Sequence, residues 1–126
     1  MSDYTVKRFD EMATKMGGAF KLARASLGVT SFGMQVLDMP PGAGEFYPDH
    51  DHTHDGQEEV YVILDGGGAI KIDGVEIAVE PDTAVRVGPE TKRQLLPGPD
   101  GMRLLILGGV PGKAYDPPGF TEPKAD

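Results

Sequence analysis

The sequence predicts an all-β protein, a sandwich or small barrel of roughly eight to ten short strands. Three observations carry that prediction. Glycine (18) and proline (11) are abundant and spread between short β-branched runs, which marks many turns. Residues 60–64 read Val-Tyr-Val-Ile-Leu, the most strand-like run in the chain. Ile72-Asp73-Gly74-Val75 is a two-residue Asp-Gly hairpin signal. At 126 residues the chain is long enough for one domain with a real core, spanning 1–126 with its body over about 19–110.

In order, residues 3–9 are expected to form a first strand. Asp10 is placed to cap a short N-terminal helix over Glu11–Met16, stopped by Gly17 and Gly18. Ala19–Ala25 reads as a strand ending at a turn around Leu27 and Gly28. Ser31–Met39 alternates Phe32, Met34 and Val36 against Gly33, Gln35 and Leu37, and Pro40-Pro41-Gly42 ends it. The run from Val60 closes at Asp65 and a glycine triplet. The hairpin register pairs Ile72 with Val75, Lys71 with Glu76 and Ile70 with Ile77, one face apolar and the other carrying an opposite-charge pair. Strands follow over Thr83–Val87, Arg93–Leu96 and Met102–Leu107, the last two divided by a turn at Pro99-Asp100-Gly101. The nearly continuous apolar run of Met102–Leu107 suits a strand covered on both sides or at a subunit contact. Residues 111–126 form an irregular Pro/Gly-rich tail, draped on the body through Tyr115 and Phe120 with loose final residues.

The charge balance narrows the partners. Twelve basic against 20 acidic residues give a net charge of −8, which argues against nucleic acid and anionic membrane. The start, MSDYTVKRFD, has no apolar core of a signal segment, and no apolar run approaches a membrane span. Cysteine is absent, so a metal must rest on histidine and carboxylate. The cytoplasm is the default compartment.

All three histidines fall within His50-Asp51-His52-Thr53-His54, followed by Glu58 and Glu59. In extended chain, side chains alternate, so His50, His52 and His54 can share a face. Imidazoles beside a carboxylate are a donor set for a divalent first-row metal such as Mn, Fe, Ni or Zn. The plainer alternative is a polar loop carrying histidines by chance. Strict parity from His50 would select Glu58, but Asp55 and Gly56 are turn formers that reset the phase. Glu58 then reads as a solvated charge and Glu59 as a ligand, because a carboxylate opening so apolar a strand is costly to bury otherwise. Tyr61 shares a face with Glu59; it either reaches a cavity or packs in the core. Gln35 and Arg103 each interrupt an apolar strand, as pocket groups or on an outer face.

The stretch resembles the first motif of the cupins: His52-x-His54, four residues, Glu59, six residues, Gly66. The preceding PPGAGEFYP suits that family, and a weaker second motif runs through Gly74, Pro81, Asp82 and VRVGPETKRQLLP. The two motifs cover about residues 35–107. A second register starts the H-x-H at His50, with Gly44 upstream, but leaves too many residues before Glu59. His52, His54 and Glu59 therefore rank first, with His50 as an extra or substitute ligand. The resemblance implies a cupin jelly roll (double-stranded β-helix barrel), commonly a dimer, with ligands in the barrel mouth. It also places Arg93 where a fourth ligand, a histidine, is usual.

The cupin fold hosts many activities. Three readings follow: a metal-dependent enzyme of dioxygenase or isomerase type on a small organic molecule, a non-catalytic small-ligand module, or a structural barrel that has lost its metal. Arg93 cannot coordinate a cation, and, if it faces the cavity, it favours an anionic ligand. If it lies outside beside Lys92, it does not. Arg93, Tyr61 and Gln35 are the candidate ligand-binding residues. A homodimer is expected, because sheet edges and the apolar run Leu104–Leu107 call for cover.

Overall fold

The computed structural model describes residues 2–42 and 47–123. Two long strands dominate it: β4 (Glu58–Ile72) and β7 (Arg93–Gly109). They pair antiparallel from Glu58↔Gly109 to Ile72↔Arg93, with register shifts at Ile63/Asp65 and Gly66/Gly68. The sequence expectation ended the first of these strands at the glycine triplet and broke the second at Pro99. Both instead run through as bulged strands. The glycines make this feasible: Gly66 has φ +71°, and a Cβ there would lie 2.2 Å from the Gly101 carbonyl oxygen. Only a residue without a side chain lets the two backbones cross so closely.

The other strands are β1 (Thr14–Lys15), β2 (Phe20–Lys21), β3 (Gly33–Met39), β5 (Val75–Val79) and β6 (Ala84–Val87). They form one antiparallel seven-stranded sheet, ordered β1-β2-β3-β7-β4-β5, with β6 also on β4. This hydrogen-bonded path is open, and it is consistent with a jelly roll. The β4–β5 hairpin has the predicted register, Ile72↔Val75, Lys71↔Glu76 and Ile70↔Ile77. Its turn needs positive φ at both central residues, and Asp73 (+46°) and Gly74 (+86°) supply it.

The N-terminal third departs from expectation. Residues 3–9 form no strand up to Arg8, and Phe9–Glu11 is a single 3-10 turn. The expected helix over Glu11–Met16 is absent: Met12 is buried, and Thr14–Lys15 pair with Phe20–Lys21 instead. The helix, α1, lies at Ala23–Leu27, overlapping the end of the expected strand Ala19–Ala25 and the turn after it, and Gly28 (φ +81°) ends it. Ala, Arg and Leu are strong helix formers, and burying Leu22 and Ala23 beside β3 secures the element. Beyond Val110 the one regular piece among described residues is the 3-10 turn Gly119–Thr121. Residues 43–46 within PPGAGEFYP, and the last residues expected to be loose, lie outside the described set.

The core sits between the inward faces of β3, β4 and β7, with Leu37, Tyr61, Ile63, Ile70, Leu95 and Leu104 almost wholly buried. A second cluster covers the other face of the β3–β7 pair. There Met12, Ala23 and Val36 pack with Phe9, Leu27 and Leu105. β7 is thus sheltered on both faces within the chain along Met102–Leu107.

Candidate metal centre

The histidine loop is fastened to the sheet through its main chain. His50 and Arg93 exchange backbone hydrogen bonds of 3.0 and 2.8 Å, and the His52 amide donates to the Pro89 carbonyl at 2.7 Å. A turn at Thr53–Asp55, with Gly56 at φ +74°, then delivers the chain to β4. The turn resets the side-chain phase. Glu59 points inward, 9% exposed, and Glu58 points outward to an ion pair with Arg86.

One ligand atom from each of His50, His52 and Glu59 lies within 4.8 Å of the other two. His54 is apart: its side chain is 73% exposed, with Nε2 3.5 Å from Asp55. His52, His54 and Asp55 make a second, more open grouping that shares His52. The ranking from motif spacing had His54 beside His52 and Glu59; the loop turns after His52, which brings His50 to that place instead.

The tautomers fit a metal. His50 Nδ1 lies 2.8 Å from the Pro48 carbonyl oxygen, which can only accept, so Nδ1 carries the proton. His52 Nδ1 lies 3.0 Å from Asp55 Oδ1 and donates likewise. Each ring is left with Nε2 as its metal-binding nitrogen. His52 Nε2 is buried without a hydrogen bond, although Glu59 Oε1 is only 3.2 Å away. A lone pair facing a carboxylate in a buried site requires a proton or a cation between them. These residues therefore fit a divalent ion.

The surrounding charges keep the set in order. Burial by itself would raise the Glu59 pKa, but His52, the Tyr61 hydroxyl (donating at 2.7 Å) and Arg93 outweigh it and hold it below the ordinary value. The Glu59 carboxylate in turn raises the His52 pKa, against burial. Asp55 is anchored by the Gln57 backbone and side-chain amides, at 3.2 and 2.8 Å. Burial raises the Tyr61 pKa well above its ordinary value, so its hydroxyl stays a donor.

The centre opens into a cavity of about 270 Å³, bounded in part by Gln35, Tyr47, Gln57, Tyr115 and Phe120. Of the three expected ligand-binding residues, Gln35 lines it. Tyr61 and Arg93 do not: both are fully buried and stand behind Glu59. The Arg93 side chain points inward, not out beside Lys92. Its Nη2 donates to the carbonyls of Val87 and Gly88, and Nη1 is 3.9 Å from Glu59 Oε1. Sequence reasoning did not name Phe20 or Tyr47 as site residues: Phe20 comes from β2, outside any motif, and Tyr47 lies within the PPGAGEFYP stretch, where no single residue stood out. It placed Tyr115 and Phe120 on the body but not at the site.

A sequence model described as Cupin domain matches residues 35–107. No curated protein matches the chain. A cupin protein from Bacteroides fragilis superposes over 94% of this chain and 93% of its own, at 26% identity and TM-score 0.70. A putative sugar phosphate isomerase from Acidithiobacillus ferrooxidans covers 71% of this chain and 56% of its own, at 18% identity and TM-score 0.57. A sugar phosphate isomerase of the cupin superfamily from Silicibacter pomeroyi covers 71% and 54%, at 19% and 0.57. The last two are likenesses of fold alone.

Proposed function

This chain belongs to the cupin family, whose sequence model matches residues 35–107, and on that footing we propose that it holds a divalent first-row metal on His50, His52 and Glu59 and binds a small organic molecule there. The observation that carries the reading is the pair of fixed tautomers. Pro48 and Asp55 occupy both Nδ1 atoms and leave the Nε2 atoms as lone-pair donors, that of His52 3.2 Å from the Glu59 carboxylate, with His50 in the same grouping. Two imidazoles and one carboxylate suit Mn, Fe, Ni or Zn and leave positions open for a ligand. When bound, the ion supplies Lewis-acid activation of a ligand oxygen. The chain's own residues do the rest. Asp55 and Gln57 orient His52. Tyr61 and Arg93 keep Glu59 an anion. Gln35 and Gln57 offer neutral hydrogen bonds along the wall.

A non-catalytic binding role is the second reading, and one observation favours it. Among the described cavity residues, the titratable groups other than the three ligands are Tyr47 and Tyr115, whose pKa values burial raises. Neither is a ready base near neutral pH. Turnover by metal-loaded protein on small acids, sugars or phenols would decide for the enzyme. As assembly we propose a homodimer, with β5 as a pairing edge: Val75 and Ile77 are apolar and exposed there. A strict monomer in light scattering would exclude it.

Elemental analysis tests the centre. Purified protein should hold about one ion per chain after dialysis. The double substitution His50→Ala with His52→Ala should lose it, while His54→Ala keeps it. Full retention in the double variant would refute the assignment.

A further inference from the structure

A larger and almost wholly apolar chamber of about 460 Å³ adjoins the metal centre's cavity. Its own walls include Ala19, Leu37 and Met39, and it shares Phe20, Tyr47, Pro48 and Phe120 with the smaller cavity. The two spaces are therefore neighbours across a boundary of rings. Phe20 and Phe120 meet edge to face with centroids 5.0 Å apart, and Phe120 is half-exposed. No lysine or arginine is among the described residues that line either space. Of the neighbouring cations, Arg93 is sealed behind Glu59 with its Nη2 bound to main-chain carbonyls, and Lys15 stacks over the Phe120 ring at 4.7 Å with its ammonium donating to the Phe120 carbonyl.

From this geometry we infer the ligand class: an amphipathic molecule whose oxygen-bearing head reaches His50, His52 and Glu59, and whose hydrocarbon body lies past Phe20 and Phe120 in the apolar chamber. The inference rests on the metal reading above and adds the identity of the tail. A phosphate or polyhydroxylated body would leave donors and charge unmatched against Leu37 and Met39. A hydrocarbon body gains from leaving water there, and one anionic head is matched by the metal alone. The walls thus select against sugar phosphates, although two structures of that description share the fold.

The test is calorimetric titration of n-alkyl hydroxamates, from about two to ten carbons, into the Zn²⁺-loaded full chain. Each methylene that enters the chamber should tighten binding about fourfold until the chamber fills. Glucose 6-phosphate should bind more weakly than the octyl member. A flat series, or tighter binding of the sugar phosphate, would overturn the inference. The same chain lengths as simple carboxylates, read by thermal shift on metal-free protein, separate the two ideas. A chain-length slope in protein that takes up no zinc keeps the chamber and removes the metal. Zinc uptake with a flat hydroxamate series does the reverse. Ala19→Phe, checked for folding by circular dichroism, should abolish the slope and spare acetohydroxamate; the series on the unaltered chain stands by itself if that variant does not fold. A flat series together with a dimer that Ala19→Phe splits would assign the chamber to a second copy and overturn the proposal.

Discussion

Arg103 and Arg93 stand on the same strand, β7, and each meets a carboxylate. Arg103 holds Asp38 of β3 directly across the ladder, with two hydrogen bonds of 2.5 and 3.0 Å, and Lys21 joins at 2.9 Å. That cluster is part-exposed, geometrically complete and screened by water. Arg93 is fully buried, lies 3.9 Å from Glu59, and leaves Nε and Nη1 without hydrogen bonds among the described residues. The outer arginine fastens two strands. The inner one meets its carboxylate at longer range, and His52 and the Tyr61 hydroxyl do more than it does to hold Glu59 below the ordinary carboxylate value. Good pair geometry and full burial have been separated in this molecule.

The comparison can be broken at its inner end first. Arg93→Met should lower stability by about 3–5 kcal/mol in chemical denaturation, because Glu59 is then buried without its cation. Adding Glu59→Gln should restore most of that loss. A single-variant loss below about 1 kcal/mol would mean that Arg93 and Glu59 do not act as a pair. Tyr61→Phe comes next. Losing its hydrogen bond to the Glu59 carboxylate should cost about 1.5–3 kcal/mol by the same measurement, with metal uptake weakened more than the fold.

At the outer end the effects are smaller and depend on pH. The hydrogen bond from Arg103 holds the Asp38 carboxyl below its usual 3.8, against burial and with help from Lys21. A lowered folded value means that the contribution is fully present above the unfolded value and is lost as pH falls through the folded one. Asp38→Asn should therefore cost at most about 1 kcal/mol at neutral pH. That cost should shrink as pH falls through the folded value of Asp38 and vanish once the wild-type carboxyl is protonated too. Parallel wild-type and variant curves across that range would show that Asp38 is not linked to folding.

Much of the sheet was legible because its cues are local. Asp73-Gly74 dictates its own turn, and the hairpin register follows. The glycine triplet was read as a stop, yet it is a bulge, because what decides is the Gly101 backbone that approaches it from about 35 residues away. The helix went to Ala23–Leu27 because β1–β2 pairing and the burial of Met12 outweighed the cap at Asp10. At the centre, the turn after His52 decided the histidines: Asp55 and Gly56 marked the phase change, which selects Glu59, but not its direction, which selects His50. Arg93 could be placed on a strand but not on a face, since the Gly88-Pro89 turn leaves the phase free. Phe20, Tyr47 and Phe120 reach the cavity from three distant segments, and no spacing rule joins them.

The clamp between His50 and Arg93, and the bond from His52 to Pro89, are made entirely by main-chain groups. No identity at position 50, 52 or 93 is needed for them, so long as the residue is not proline. The scaffold can therefore present other side chains at the mouth without rebuilding the loop that carries them. Seen as a history, that uncouples the mutations that alter chemistry from those that threaten folding. At positions 50 and 52 the frame can therefore carry other donors without losing these main-chain bonds, whereas Arg93, buried behind Glu59, is tied to the core.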